Sequence, residues 1–255
     1  MSSPPQAPLD AVTENRLMGG RVTLRQPARG YRAGLDAALL AAACDAGPGA
    51  RVLEAGCGAG GVLMAAAVRC PGATFLGVER DPIAAALARE NAALNGLSAQ
   101  IEVLTGDVAA GFAALGHPVF DAVLANPPFF DDPNSLRAPS AEKTGAWLAD
   151  DGLEAWTGFL LKAVREGGSL TLIHRADRLA DLLSGLGVGA GAFQILPIHP
   201  FADAPAKRVL VRARRTGKAP LRLLPPLILH ARGGAEKHTA EAEAILRGEA
   251  RLKWL

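Results

Sequence analysis

The 255-residue sequence predicts a doubly wound α/β domain, a parallel sheet with helices on both faces. Three observations lead there. Strand-like and helix-like runs alternate from about residue 50 to residue 215, and such alternation builds parallel sheets covered on both sides. The length suits one large α/β domain with a substantial core. No internal repeat and no Pro/Gly/Ser-rich linker divides the chain, so residues 1–255 read as a single domain.

The elements follow in order. Residues 1–13 are Pro/Ser-rich and are expected to be disordered. "RLMGGRVTLRQP" alternates around Val22 and Leu24 and predicts a short exposed strand or hairpin arm. "GLDAALLAAACDAG" is helix-like and stops at Gly47-Pro48. Strand "ARVLEAG", a helix near 60–69, strand "ATFLGVE" and a helix over 82–95 come next. Strand "IEVLTGD", a short helix, strand "FDAVLAN", a loop, a helix over 152–166 and strand "SLTLIHR" continue the alternation. A helix over 176–186, strands near 191–198 and 207–215, and a short helix from Ala240 complete it.

Composition narrows the class. Hydrophobic residues make up 49% and charged residues 20%, an ordinary globular balance. A net charge of +2 gives no global argument for a polyanionic partner. Cys44, Cys57 and Cys70 form no C-x-x-C pair and are odd in number, so a cytoplasmic protein with reduced thiols is expected. The histidines lack metal-ligand spacing, and no metal is expected. No signal peptide is visible at "MSSPPQAPLD", and runs such as "AALLAAAC" are too short to cross a bilayer, so no membrane partner is expected.

Chemistry concentrates at the strand ends. "VLEAGCGAGG" places Gly56, Gly58 and Gly61 in G-x-G-x-x-G register, which alone could cradle a dinucleotide pyrophosphate. Glu54, two residues before the first glycine, would repel a pyrophosphate. A carboxylate there suits a ligand carrying positive charge, such as the ammonium and sulfonium of S-adenosylmethionine (SAM). Glu79 ends the second strand, where an acid can accept both ribose hydroxyls of an adenosine cofactor; Asp81-Pro82 reads as the cap of the next helix and leaves Glu79 for that role. Asp107 ends the third strand and reads equally as an acceptor for an adenine amino group or as a plain N-cap. Gly60 in the same turn, and Asn126 beside it on the sheet edge, join Glu54, Gly56, Gly58, Glu79 and Asp107 as candidate cofactor residues.

The fourth strand ends in Asn126-Pro127-Pro128-Phe129, and two prolines stop a central strand hard. An exocyclic amino group on adenine is a poor nucleophile because its lone pair is delocalised into the ring. Two acceptors aimed at its N–H bonds would favour the pyramidal nitrogen that frees the pair. Asn126 offers its side-chain oxygen, and Pro127 a carbonyl with no competing N–H. Pro128 stiffens the corner, and Phe129, followed by Phe130, offers a face for a planar substrate. The alternative is a stiff turn with two core phenylalanines.

E-x-G-x-G together with N-P-P-F resembles the class I SAM-dependent amino-methyltransferases. More narrowly, "TENRLMGGRVTLRQPARGYRAGLDAALLAAA", "LANPPFF" and "PIHPFADAPAKRVLVRARR" resemble the bacterial tRNA(Val) adenine-N6-methyltransferase family, from about Thr13 to Leu229. The resemblance implies a Rossmann-like, mostly parallel seven-stranded sheet with its last strand antiparallel. It also implies a cofactor wall near Tyr31-Arg32 and Asp36, SAM as cofactor, and RNA, in particular tRNA, as partner. The tetrad specifies chemistry better than substrate, since rRNA guanine amines and protein glutamine amides present the same planar NH₂. A nicotinamide-dependent oxidoreductase on the same glycine motif is a further alternative, opposed by Glu54 and N-P-P-F.

Local charge adds one expectation. In "KRVLVRAR", alternation puts Arg208, Arg212 and Arg214 on one strand face, and Arg212 and Arg214 are candidate RNA contacts. Protection of an exposed edge strand would explain the same stripe. Trp147 and Trp156 flank a polar loop, 131–150, and read either as substrate-loop anchors or as core residues.

Overall fold

The computed structural model describes residues 12–28, 32–128, 152–233, 236–252 and 254. Tyr31, Phe129, Phe130, Trp147 and the loop 131–150 lie outside the described residues.

A hairpin comes first, β1 (Val12–Leu17) paired antiparallel with β2 (Val22–Pro27). Val12 and Thr13, expected to be disordered, are already in β1. The second arm is not exposed on its inner face: Val22 and Leu24 are fully buried and Gln26 nearly so. Burial follows because β2 lies across the helices α2 (Gly61–Arg69) and α3 (Pro82–Leu94), which cover its apolar face.

The main sheet holds β3 (Arg51–Ala55), β4 (Thr74–Glu79), β5 (Ile101–Thr105), β6 (Phe120–Ala125), β7 (Val164–Arg175), β8 (Ala190–His199) and β9 (Arg208–Arg215). Two short strands, β10 (Arg222–Leu223) and β11 (Leu227–Ile228), pair with the outer side of β8. The order is β10-β8-β9-β7-β6-β3-β4-β5. Seven long strands and one antiparallel member, β9, match the expected architecture, while the two-residue strands are additions the sequence did not signal.

Helices cover both faces. α1 (Leu35–Ala43), α2, α3 and the C-terminal helix α6 (Ala240–Leu246) pack one core with residues such as Leu39, Met64, Ala88 and Ile245. α4 (Leu153–Ala163) and α5 (Leu179–Gly187) pack the other with Trp156, Phe159, Leu182 and Leu186. Asp81 caps α3 by accepting from the Ile83 N–H at 2.9 Å, with Pro82 at the first helical position, as its sequence predicts. Two elements differ from expectation. α4 stops at Ala163, where Val164 takes an extended conformation (φ −95°, ψ 138°) and β7 starts directly. The short helix after Asp107 is two 3₁₀ turns, Val108–Ala110 and Phe112–Leu115, separated by Gly111 at φ +80°.

The arginine stripe takes a different place from the one expected. β9 lies between β7 and β8, so it is interior and needs no edge protection. Arg212 is 4% exposed, pairs with Asp45 and lies over the Trp254 ring at 5.0 Å. It is therefore a packing residue and not a surface contact for RNA. Arg214 is exposed, but β9 runs antiparallel and carries it opposite Ser169, toward the amino-terminal edge of the parallel strands. Six residues separate it from Arg208 at the carboxyl edge, roughly 20 Å of strand. The candidate site lies on that other edge, so neither residue faces it.

Arg212→Ala is expected to lower stability by about 1–3 kcal/mol in urea titration. This is below the cost of breaking a fully buried pair, because Asp45 is half exposed and can rehydrate. A loss below about 0.5 kcal/mol would mean that the stack on Trp254 and the pair contribute little.

Candidate active site

Strand order reverses at β3. The chain runs outward through β4 and β5, then returns to β3's other side as β6, leaving a crevice at the carboxyl ends where such folds hold ligands. In register, Ala55 lies opposite Ala125 of β6 and Val78 of β4. Gly56, Asn126 and Glu79 therefore leave three adjacent strands at one level, about 5 Å apart from strand to strand.

The glycine turn is built from backbone conformations that side chains disfavour. Gly56, Gly58 and Gly60 have φ of +68°, +53° and +86°. Gly56 also faces Trp156, whose ring atom would lie 2.5 Å from an added Cβ, so this glycine serves packing as well as any ligand. Trp156 is thereby a core anchor beneath the turn. Gly58 has open space on that side, where a ligand could approach.

Glu79 neither caps α3 nor stands idle. Its Oε2 accepts from the Gly58 N–H and its Oε1 from the Asp81 N–H, both at 2.9 Å. Each carboxylate oxygen can accept a second bond, so the group is oriented and keeps capacity for two hydroxyls. Asp107 does cap: its Oδ1 accepts from the Ala109 N–H at 3.0 Å, and its other oxygen has no partner among the described residues.

Glu54 is the unusual member. It is 2% exposed, and its Oε2 has no hydrogen-bond partner among the described residues. Burial raises its pKa well above the usual carboxylate range, the Leu63 backbone N–H lowers it, and the charge of Glu79 raises it. An orphaned buried oxygen at the foot of the glycine turn fits a positively charged donor, the electrostatic character of SAM's ammonium. The neighbouring Cys57 thiol is also raised, by burial and then by Glu54 and Glu79, which keeps it protonated and unreactive.

Asn126 and Pro128 are partly exposed at the end of β6, and Pro127 between them is buried. His174, buried at the end of β7, lies beneath the corner; burial and the Arg208 cation lower its pKa, and the nearby Pro128 carbonyl pulls the other way. The charged groups of the expected wall are engaged within the protein. Arg32 donates to Thr13 Oγ1 at 2.9 Å and Asn15 Oδ1 at 2.7 Å, tying the hairpin to the segment before α1. Asp36 accepts from Arg208 Nε at 2.8 Å.

The sequence reading missed Gly77 and Asn91. A side chain at Gly77 would meet Leu63 at 2.5 Å and Cys57 at 2.8 Å, so this strand glycine makes room for the turn. Asn91 is a buried polar residue inside α3, and the "ENAALN" pattern was the available signal. Among the described residues, no group of three or more His, Cys, Asp or Glu could hold a metal. No described helix is long and apolar enough to cross a membrane.

The buried Glu54 makes cofactor affinity pH-dependent. Its pKa is raised in the free protein, and a bound cation would lower it, so binding releases a proton between those two values. SAM affinity should therefore fall as pH drops through that window, and Glu54→Gln should flatten the profile. Calorimetry in buffers of different ionisation enthalpy reads the proton directly. No released proton in the wild type would remove Glu54 from the cation's partners.

Known proteins similar to this chain are methyltransferases. The family model of the methyltransferase small domain matches residues 32–142. A tRNA1(Val) (adenine(37)-N6)-methyltransferase of Porphyromonas gingivalis is 34% identical over 169 residues, covering 64% of this chain and 66% of that protein. A release factor glutamine methyltransferase of Gloeobacter violaceus is 34% identical over 140 residues, 51% of this chain and 47% of that protein. The chain thus spans 66% or less of the length of these two curated relatives. A solved structure described as a predicted O-methyltransferase from Agrobacterium tumefaciens superposes with a TM-score of 0.72 at 30% identity, covering 85% of this chain and 98% of that one.

Proposed function

The chain belongs to the class I SAM-dependent methyltransferases, and we propose that it methylates an exocyclic amino group, adenine N6 of a tRNA. The observation that carries the reading is the register of β3 with β6, which puts Asn126-Pro127-Pro128 level with the glycine turn. SAM, when bound, supplies the electrophilic methyl group. Glu79 would accept from its ribose hydroxyls, Asp107 from its adenine amino group, and Glu54 would face its positive charge. The turn Gly56–Gly60 would let the backbone approach it closely.

On the acceptor side, Asn126 Oδ1 and the Pro127 carbonyl would take the two N–H bonds of the amino group. The fixed φ of the prolines stiffens the backbone that carries both groups, which would limit reorganisation when the nitrogen pyramidalises. No base of tuned pKa is required, since the sulfonium carries the driving force and the proton can leave afterward. Phe129 and Phe130 would offer the base a face on which to stack. Because Arg212 and Arg214 point elsewhere, an RNA would meet Lys207, which is exposed where β9 starts on the carboxyl edge.

A second reading keeps the chemistry and changes the acceptor to a protein glutamine amide. It is favoured by the equal identity of the release factor glutamine methyltransferase relative. Labelled SAM incubated with separate tRNA and protein fractions tests both, with the modified unit identified by mass spectrometry. Label in N6-methyladenosine of tRNA is expected; label confined to a glutamine would replace the substrate assignment. In either case Asn126→Ala should cut methyl transfer by at least about 10²-fold with SAM affinity nearly unchanged, as for loss of one preorganised donor–acceptor contact to a transition state. Near-normal turnover would remove the chemical explanation of the corner.

A further inference from the structure

We infer that Asn91 is a positioning residue for the cofactor turn, and that through it the N-terminal hairpin becomes part of the cofactor site. Asparagine is a poor choice inside a helix, and burying its amide is costly unless every polar atom is paired. Asn91 is fully buried in α3 and is paired throughout. Its Oδ1 accepts from the Arg25 N–H at 2.9 Å, and its Nδ2 donates to the Arg25 carbonyl at 2.7 Å and the Ala59 carbonyl at 2.8 Å.

One helical turn on, Asn95 repeats half of this. Its Oδ1 accepts from the Thr23 N–H at 2.9 Å, and its Nδ2 donates to the Thr23 carbonyl at 2.7 Å. The match is geometric. Four residues of helix rise about 6 Å and two residues of strand about 6.6 Å. The two amides therefore present themselves to the free edge of β2 as a neighbouring strand would.

The difference between them is the second N–H. Asn95 returns it to its own helix, at the Asn91 carbonyl, 2.8 Å away. Asn91 sends it to Ala59, in the middle of the glycine turn. The Ala59–Gly60 peptide is then fixed at both ends, since the Gly60 N–H donates to the Cys57 carbonyl at 2.8 Å. On the other side of Ala59, Glu79 holds the Gly58 N–H. Glycines with positive φ lose this conformation easily, so a turn that must meet a ligand needs such outside bonds. Of the two asparagines, Asn91 joins hairpin, helix and turn, whereas Asn95 joins hairpin and helix.

The test uses cofactor alone, independent of which substrate is methylated. Calorimetric binding of S-adenosylhomocysteine, well below the melting transitions, would compare Asn91→Ala and Asn95→Ala with the wild type. Both variants loosen the hairpin. Asn91→Ala should raise Kd about tenfold, the weight of a buried hydrogen bond, and Asn95→Ala less than about twofold. Equal effects, or none, would overturn the inference by making both residues simple anchors. Should Asn91→Ala fail to fold, hydrogen exchange of the wild type decides. Adding S-adenosylhomocysteine should slow exchange of the Arg25 amide, which Asn91 holds, and an unchanged rate there would overturn the inference equally. A wild type that binds no S-adenosylhomocysteine would overturn it together with the cofactor assignment.

Discussion

Central placement of β3 is the constraint on which the rest depends. It is hydrogen-bonded on both sides, to β4 and to β6, and its register sets the level at which every neighbouring strand ends. One residue of slip would turn Glu54 from beneath the glycine turn to the opposite face of the sheet. It would also separate Asn126 from the level of Gly56. Parallel pairing with full burial on both faces makes such a slip costly, since Val52 and Leu53 would exchange one packed core for the other.

Around that strand the fold arranges carboxylates by environment. Glu79 is half-buried and receives two backbone N–H groups, so its oxygens are aimed. Glu54, a few residues away in space, is enclosed and short of donors, so it favours the neutral form until something positive arrives. The same residue type therefore sits in two environments, one oriented by backbone donors and one enclosed. Cys57 packs beside them in the room left by Gly77, and burial with two acids nearby keeps its thiol inert.

The arginines show how burial reassigns a surface pattern. On a lone strand, alternating arginines read as a phosphate-tracking stripe. Placed between β7 and β8, the same strand carries Arg212 inward to Asp45 and Trp254, and Arg208 to Asp36 at the start of α1. The pairs join the sheet to α1 and to the chain's last residues. A guanidinium that is planar and broadly apolar on its faces tolerates this placement better than an ammonium would.

The sequence by itself determined the order and kind of nearly every long element, because hydrophobic period, caps and glycine punctuation are local. It also marked the candidate strand ends: Glu54, the glycines, Glu79 and Asn126-Pro127-Pro128 are local signals that need no partner to be read. Tertiary structure alone decided which strands are neighbours, and with that the burial of Arg212 and the position of Arg214 on the far edge. It decided the double duty of Gly56 against Trp156 and the need for glycine at 77. It also decided that Asn91 reaches Arg25 and Ala59, residues 66 and 32 positions away. The physical reason is the same in each case. Pattern reports which face a side chain takes relative to its own element, whereas what lies against that face is fixed only when distant elements pack.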